Sequence, residues 1–205
     1  MFQPTKIAHL QVVKKQFNGK EKECIIIKID GLEYEECDQA SENYWANSKP
    51  GVYGAGLGAT ADDKYKPVRS GLLGQMAFGK LTGLPVDTTY RKGGDQQDNL
   101  IGKIKVDIKC PMRNYGAALI YHTSEKGIKI SLDKDIYVCS YIEQENRIEK
   151  TATVIMTGFA LKQDVEKCEV KLGRKGSHMN YELPFDTLRP ITKLVEAIIK
   201  RLAKS

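Results

Sequence analysis

The chain has 205 residues, 41% apolar and 28% charged, with 32 lysines and arginines against 26 acids for a net charge of +6. That length can bury a full core, so the chain reads as one domain, and no apolar run approaches the roughly 18 residues that a membrane span requires. The positive balance suits a polyanionic partner such as nucleic acid without demanding one.

The start, MFQPTKIAHLQVVKKQF, lacks the basic-then-apolar layout of a secretory signal, and cytoplasmic residence is expected. Cys24, Cys37, Cys110, Cys139 and Cys168 are odd in number, widely scattered and without CxxC spacing. They are read as free thiols, several of them in the core.

Strands are expected at 7–13 and 24–29, joined by a polar turn through Asn18-Gly19-Lys20, and a helical stretch at about 33–48. GVYGAGLGATADDKYKP, residues 51–67, has almost no periodicity and reads as a long loop. It lacks the Gly-Lys-Ser/Thr ending of a nucleotide cradle and is better suited to a lid or a DNA-contacting segment. Pro67 suits the first turn of a helix, on which Val68, Leu72, Leu73, Met76, Ala77 and Leu81 recur at helical spacing until Thr82-Gly83-Leu84-Pro85 stops it. Gln75 falls one position from that stripe.

Further strands are expected at 98–101, 103–110, 117–122, 135–142 and 151–160, then a short helix near 162–167. GSHM at 176–179 is read as a native loop. The chain closes on a helix whose residues Ile191, Leu194, Val195, Ile198 and Leu202 form one apolar stripe opposite Lys193, Lys200, Arg201 and Lys204. This order of elements implies an α/β or α+β sheet flanked by helices.

The stretch GGDQQDNLIGKIKVDIKC, residues 93–110, carries the chemistry. Gly93-Gly94 turns the chain, Asp98 opens an extended run, Gly102-Lys103 supplies a hairpin turn, and IKVDIKC alternates as a strand does. The side-chain period of two puts Asp107 and Lys109 on one face, and a tight turn brings Asp98 towards them. Two carboxylates fit a magnesium ion, which keeps its remaining positions for water and phosphate, while a lysine can orient the attacking water. Spacing alone leaves a structural ion pair or a solvated sheet face open and slightly favours them over a metal site, since Glu169-Val170-Lys171 is a second acid-x-Lys triplet.

These residues resemble the PD-(D/E)XK nuclease superfamily, and within it the small stand-alone members of phages and other mobile elements. Asp98 matches the family's first acid, Asp107-Ile108-Lys109 its D-x-K, and RSGLLGQMAFGKLTGLPVD its helix. The resemblance covers about 67–142 and, more loosely, the tail GFALKQDV…NYELPFDTLRPITKL. It implies a restriction-endonuclease-like core, a central mixed β-sheet flanked by helices, within a single nuclease-like domain over 1–205. The core would span about 67–160, with the N-terminal strands of 1–50 and the C-terminal helix at 187–204 packed on it.

The implied activity is that of a Mg2+-dependent deoxyribonuclease, with Mn2+ able to substitute. Asp98, Asp107 and the Ile108 carbonyl would hold the metal, Lys109 would position the water, and Gln75 would assist. Asp95 is a second choice for the first acid. Relatives have Gly-Glu where this chain has Gly74-Gln75, and an amide brings no charge to a metal. The alternative is therefore a catalytically weak or inactive nuclease-fold protein that binds nucleic acid or a protein partner. Lys103, Arg113 and Tyr115 lie close enough in sequence to touch DNA, although a plain surface role suits each. His122 and His178 have no second ligand at metal spacing. A chain this small that cuts both strands of DNA would need two active sites, which suits a homodimer.

Overall fold

The computed structural model describes residues 10–47, 61–88, 98–124, 126–172 and 178–202. Strands β1 (Gln11–Phe17) and β2 (Lys20–Asp30) form an antiparallel hairpin. Its two-residue turn, Asn18-Gly19, has φ of 49° and 77°, the positive pair that matches the twist of flanking strands.

Helix α1 (Gly31–Asn47) follows directly, and α2 runs Ala61–Thr82. The expected loop and helix start are corrected here, because 61–66 are helical and Pro67 lies inside α2. A proline removes one bond of the ladder and need not end it. Residues 51–60 of that loop lie outside the described residues. Gly83 stops α2 as anticipated, at φ 70° with its N–H donating to the Gly79 carbonyl.

Next come β3 (Asn99–Ile101), β4 (Ile104–Lys109), β5 (Ala117–Tyr121), β6 (Ile136–Asn146) and β7 (Thr151–Leu161). The helical turn α3 (Lys162–Val165), strands β8 (Val170–Leu172) and β9 (Met179–Pro184), a 3-10 turn at Phe185–Thr187, and helix α4 (Ile191–Leu202) complete the order. β8 and β9 have no counterpart in the sequence reading. Residues 173–177, including the Gly-Ser of GSHM, lie outside the described residues, and Met179 opens β9.

The architecture is α/β. A mixed six-stranded sheet has the order β1-β2-β7-β6-β4-β3, with β4 and β6 parallel and every other pair antiparallel. A three-stranded sheet, β5-β9-β8, is antiparallel throughout. The N-terminal hairpin is thus built into the large sheet through β2 and β7 rather than laid on it.

Burial sorts these elements into three layers. One core cluster joins Ile25, Ile27 and Ile29 of β2 and Val154 and Met156 of β7 to Leu73, Ala77 and Leu81 of α2 and to Ile191, Leu194, Val195 and Ile198 of α4. The other joins Tyr137, Cys139 and Tyr141 of β6 and Ile155 of β7 to Ala118 and Ile120 of β5 and Tyr181 and Leu183 of β9. Helices therefore cover one face of the large sheet and the small sheet covers the other. Strands buried on both faces read as near-continuous apolar runs, which is why TATVIMTGFA and DIYVCSYI were legible.

The α4 stripe buries four aliphatic side chains, each contributing roughly 1.5–3 kcal/mol against exposure. Among the described residues, no helix is long and apolar enough to cross a membrane.

Candidate active site at the β3–β4 hairpin

Strand β4 is pleated so that Val106, Ile108 and Cys110 pack on the helix side while Asp107 and Lys109 take the opposite face. There they lie in register with Tyr137 and Cys139 of the parallel strand β6. Lys109 Nζ reaches Asp107 Oδ2 at 2.8 Å and Oδ1 at 3.1 Å. Side-chain exposure is 14% for Asp107 and 33% for Lys109, so the pair is partly buried.

Asp98 immediately precedes β3, and its N–H donates to the Val106 carbonyl at 3.1 Å. Its carboxylate is held at both oxygens. Oδ2 accepts from the main-chain N–H of Ile108, the residue between Asp107 and Lys109, and Oδ1 accepts from Gln75 Nε2 at 3.0 Å. The first acid is thereby fastened to the backbone of the D-x-K strand, and the helix to the first acid.

Gly74 makes that last contact attainable. A Cβ on it would lie 2.4 Å from Cys110 Cβ and 3.3 Å from Ser140 Oγ, so only glycine lets α2 sit this close to β4 and β6. Gln75, the next residue, is partly buried rather than solvent-facing, and presents its amide to Asp98.

Burial alone would depress the Lys109 ammonium. The charge of Asp107, the hydrogen bond it accepts and the charge of Asp98 outweigh this and hold Lys109 above the ordinary lysine range. Lys109 is consequently a cation at neutral pH, able to orient a water or stabilise developing anionic charge but not to take up a proton. The neighbouring thiols are poor nucleophiles, since burial pushes Cys110 up to about 12 and Cys139 further. Cys24 and Cys37 are also buried, Cys168 is half-buried, and all five thiols are free.

Asp98 and Asp107 offer the oxygen ligands that a hard cation takes, and magnesium needs no more than one or two carboxylates. Among the described residues, no group of three or more His, Cys, Asp or Glu side chains converges. Asp95 lies outside the described residues. The second acid-x-Lys triplet is different in kind: Lys171 spans Glu169 at 3.3 Å and Glu182 at 2.7 Å on exposed β8, an ordinary surface arrangement.

Arg113 and Tyr115 are exposed beyond the Lys109 end of β4, whereas Lys103 stands at the β3–β4 turn, at the strand's other end. His122 packs its ring edge-on to Tyr181 at 4.9 Å, and His178 does so to Tyr121 at 4.8 Å, both in the small sheet. Among the described residues, neither histidine joins two of the carboxylates in one cluster. What the sequence did not disclose is the floor of the site, Tyr137 and Cys139, because parallel pairing across 30 residues leaves no local pattern.

Compared with known proteins, the chain matches no family model, no curated protein and no solved structure.

Proposed function

We propose that this protein is a metal-dependent DNA endonuclease with a restriction-endonuclease-like core of the PD-(D/E)XK type. The single observation that carries the reading is the fastening of Asp98 to the Ile108 N–H, which ties an acid from one strand of the hairpin to the Asp107-x-Lys109 pair on the other. In this reading Asp98, Asp107 and the Ile108 carbonyl hold Mg2+, with Mn2+ able to replace it. Bound there, the metal polarises the scissile phosphate and acidifies a water.

The chain's own residues do the rest. Gln75 donates to Asp98 and fixes the rotation of its carboxylate. Lys109, kept cationic by Asp107, aligns the attacking water and balances charge on the phosphorane-like transition state. The net charge of +6 favours a polyanionic substrate.

Cleavage of single- and double-stranded DNA, with and without Mg2+, tests this in the wild type, Asp107→Ala and Lys109→Ala. Metal-dependent cutting that falls by about 10²-fold or more in each variant is expected. Equal activity in all three proteins overturns the assignment.

One observation favours a second reading. Gln75 faces Asp98 as a donor and brings no third charge to the metal, which suits a nuclease-fold protein that binds nucleic acid or a protein partner and cuts weakly or not at all.

A further inference from the structure

Among the described residues the two sheets have four outer strands, and three of them are guarded. β1 carries Lys14 and Lys15, ion-paired to Glu21 and Glu143. β3 and β8 are three residues long, and β8 carries Lys171. Charge and shortness are the usual devices that keep an edge from pairing with another chain.

β5 has neither. Ala117-Ala118-Leu119-Ile120-Tyr121 contains no charge, no proline and no register break against β9. Among the described residues, no strand pairs with its outer edge. Ala118 and Ile120 are buried beneath, while Leu119 and Tyr121 are 53% and 59% exposed. Beyond Tyr121 the chain returns along this same edge, where the Ile130 N–H donates to the His122 carbonyl and the Ser124 N–H to the Ile128 carbonyl, so the open stretch ends at Tyr121, and Ile128 and Ile130 of the returning arm are exposed as well.

We propose that the outer edge of β5 is a self-association seam, pairing antiparallel with β5 of a second copy about a two-fold axis at Leu119. That register sets Ala117 opposite Tyr121 and Ala118 opposite Ile120, so each small side chain meets a large one and the edge is complementary to itself. Copies that each carry +6 repel, and contact is cheapest along a strand without charge. Five residues alone fall short of the roughly 800 Å² per partner of a stable dimer, and the returning arm that bounds the edge at Tyr121 adds the exposed side chains of Ile128 and Ile130 to the contact. The seam would join the two small sheets into one of six strands.

The inference stands apart from the nuclease reading. Sedimentation of the full chain should give the mass of two chains for the wild type and for Asp107→Ala, and of one chain for Leu119→Lys, which sets two like charges against each other at the axis. Directly opposed residues have Cα atoms about 4.5–5.5 Å apart, within disulfide range, so Leu119→Cys should cross-link under mild oxidation. Leu172→Cys, at a residue still more exposed on β8, should not. Leu119→Cys decides the matter even where Leu119→Lys fails to fold. A wild type of one chain at every concentration, an undiminished dimer in Leu119→Lys, or cross-linking of Leu172→Cys as fast as of Leu119→Cys overturns the seam.

Discussion

Two groups of charged side chains sit partly inside this fold, and they are built differently. Around Arg69, 1% exposed, Nε meets Glu145 at 2.7 Å and a guanidinium nitrogen meets Asp38 at 3.4 Å, while Tyr34 Oη donates to the same Glu145 oxygen at 2.7 Å. These residues come from α1, α2 and β6. Burial pushes the Tyr34 phenol far up, with the Glu145 hydrogen bond acting in the same direction, so the phenol stays a donor at every ordinary pH.

Around Lys109 the pair is local. Asp107 and Lys109 are two residues apart on one strand, so their ion pair joins nothing that the backbone has not already joined. The Arg69 group is a fastener between elements. The Lys109 ion pair joins no two elements, and a partly buried charge pair without that task is a candidate for chemistry.

Stability measurements can break this contrast. Arg69→Ala leaves Glu145, 13% exposed, without its fully buried cation and should cost about 3–5 kcal/mol in urea unfolding, whereas Lys109→Ala, at a one-third-exposed cation paired within its own strand, should cost less, about 1–3 kcal/mol. Comparable losses would erase the distinction. Gly74→Ala comes next. Its new Cβ would press on Cys110, so a loss of about 1–3 kcal/mol is expected, together with a fall in cleavage as α2 carries Gln75 away from Asp98.

Gln75→Glu sharpens the comparison from the chemical side. It replaces a donor to Asp98 with a like charge, so the metal-free protein should be less stable than the wild type and Mn2+ should restore the difference. Mn2+ affinity should rise by about tenfold, or 1.4 kcal/mol.

The smallest effect is that of pH. Lys109 has a raised pKa in the fold, so its pairing contributes fully below the unfolded value of about 10.4 and is lost as pH rises through the folded value. The stability gap between the wild type and Lys109→Met should be flat from neutral pH to about 10 and shrink above it. Arg69 titrates too high to show such a decline.

How far the sequence could be read depended on the distance over which each feature is decided. Strands with β-branched runs, the Asn18-Gly19 turn and the Gly83 stop are local, and they fell within a few residues of their places. β8 and β9 were missed because Val170–Leu172 is short and charged, and because their pairing reaches from Tyr121 to Asn180. The Met179, Tyr181 and Leu183 alternation was the signal available for β9. At the site, Asp107 and Lys109 share a face by strand geometry alone. The contact of Gln75 with Asp98 was not legible, since it depends on how closely Gly74 lets α2 approach Cys110. The same holds for the Ile108 N–H, whose partner is chosen by the exact pairing of the hairpin.

Calorimetry with Mn2+ tests the central claim most directly, because it asks whether Asp98 and Asp107 form one site before asking what that site cuts. The wild type should bind with saturable heat, and Asp98→Asn and Asp107→Asn should each weaken binding by about tenfold or more. Heat that is absent in the wild type, or unchanged in both variants, would contradict the account.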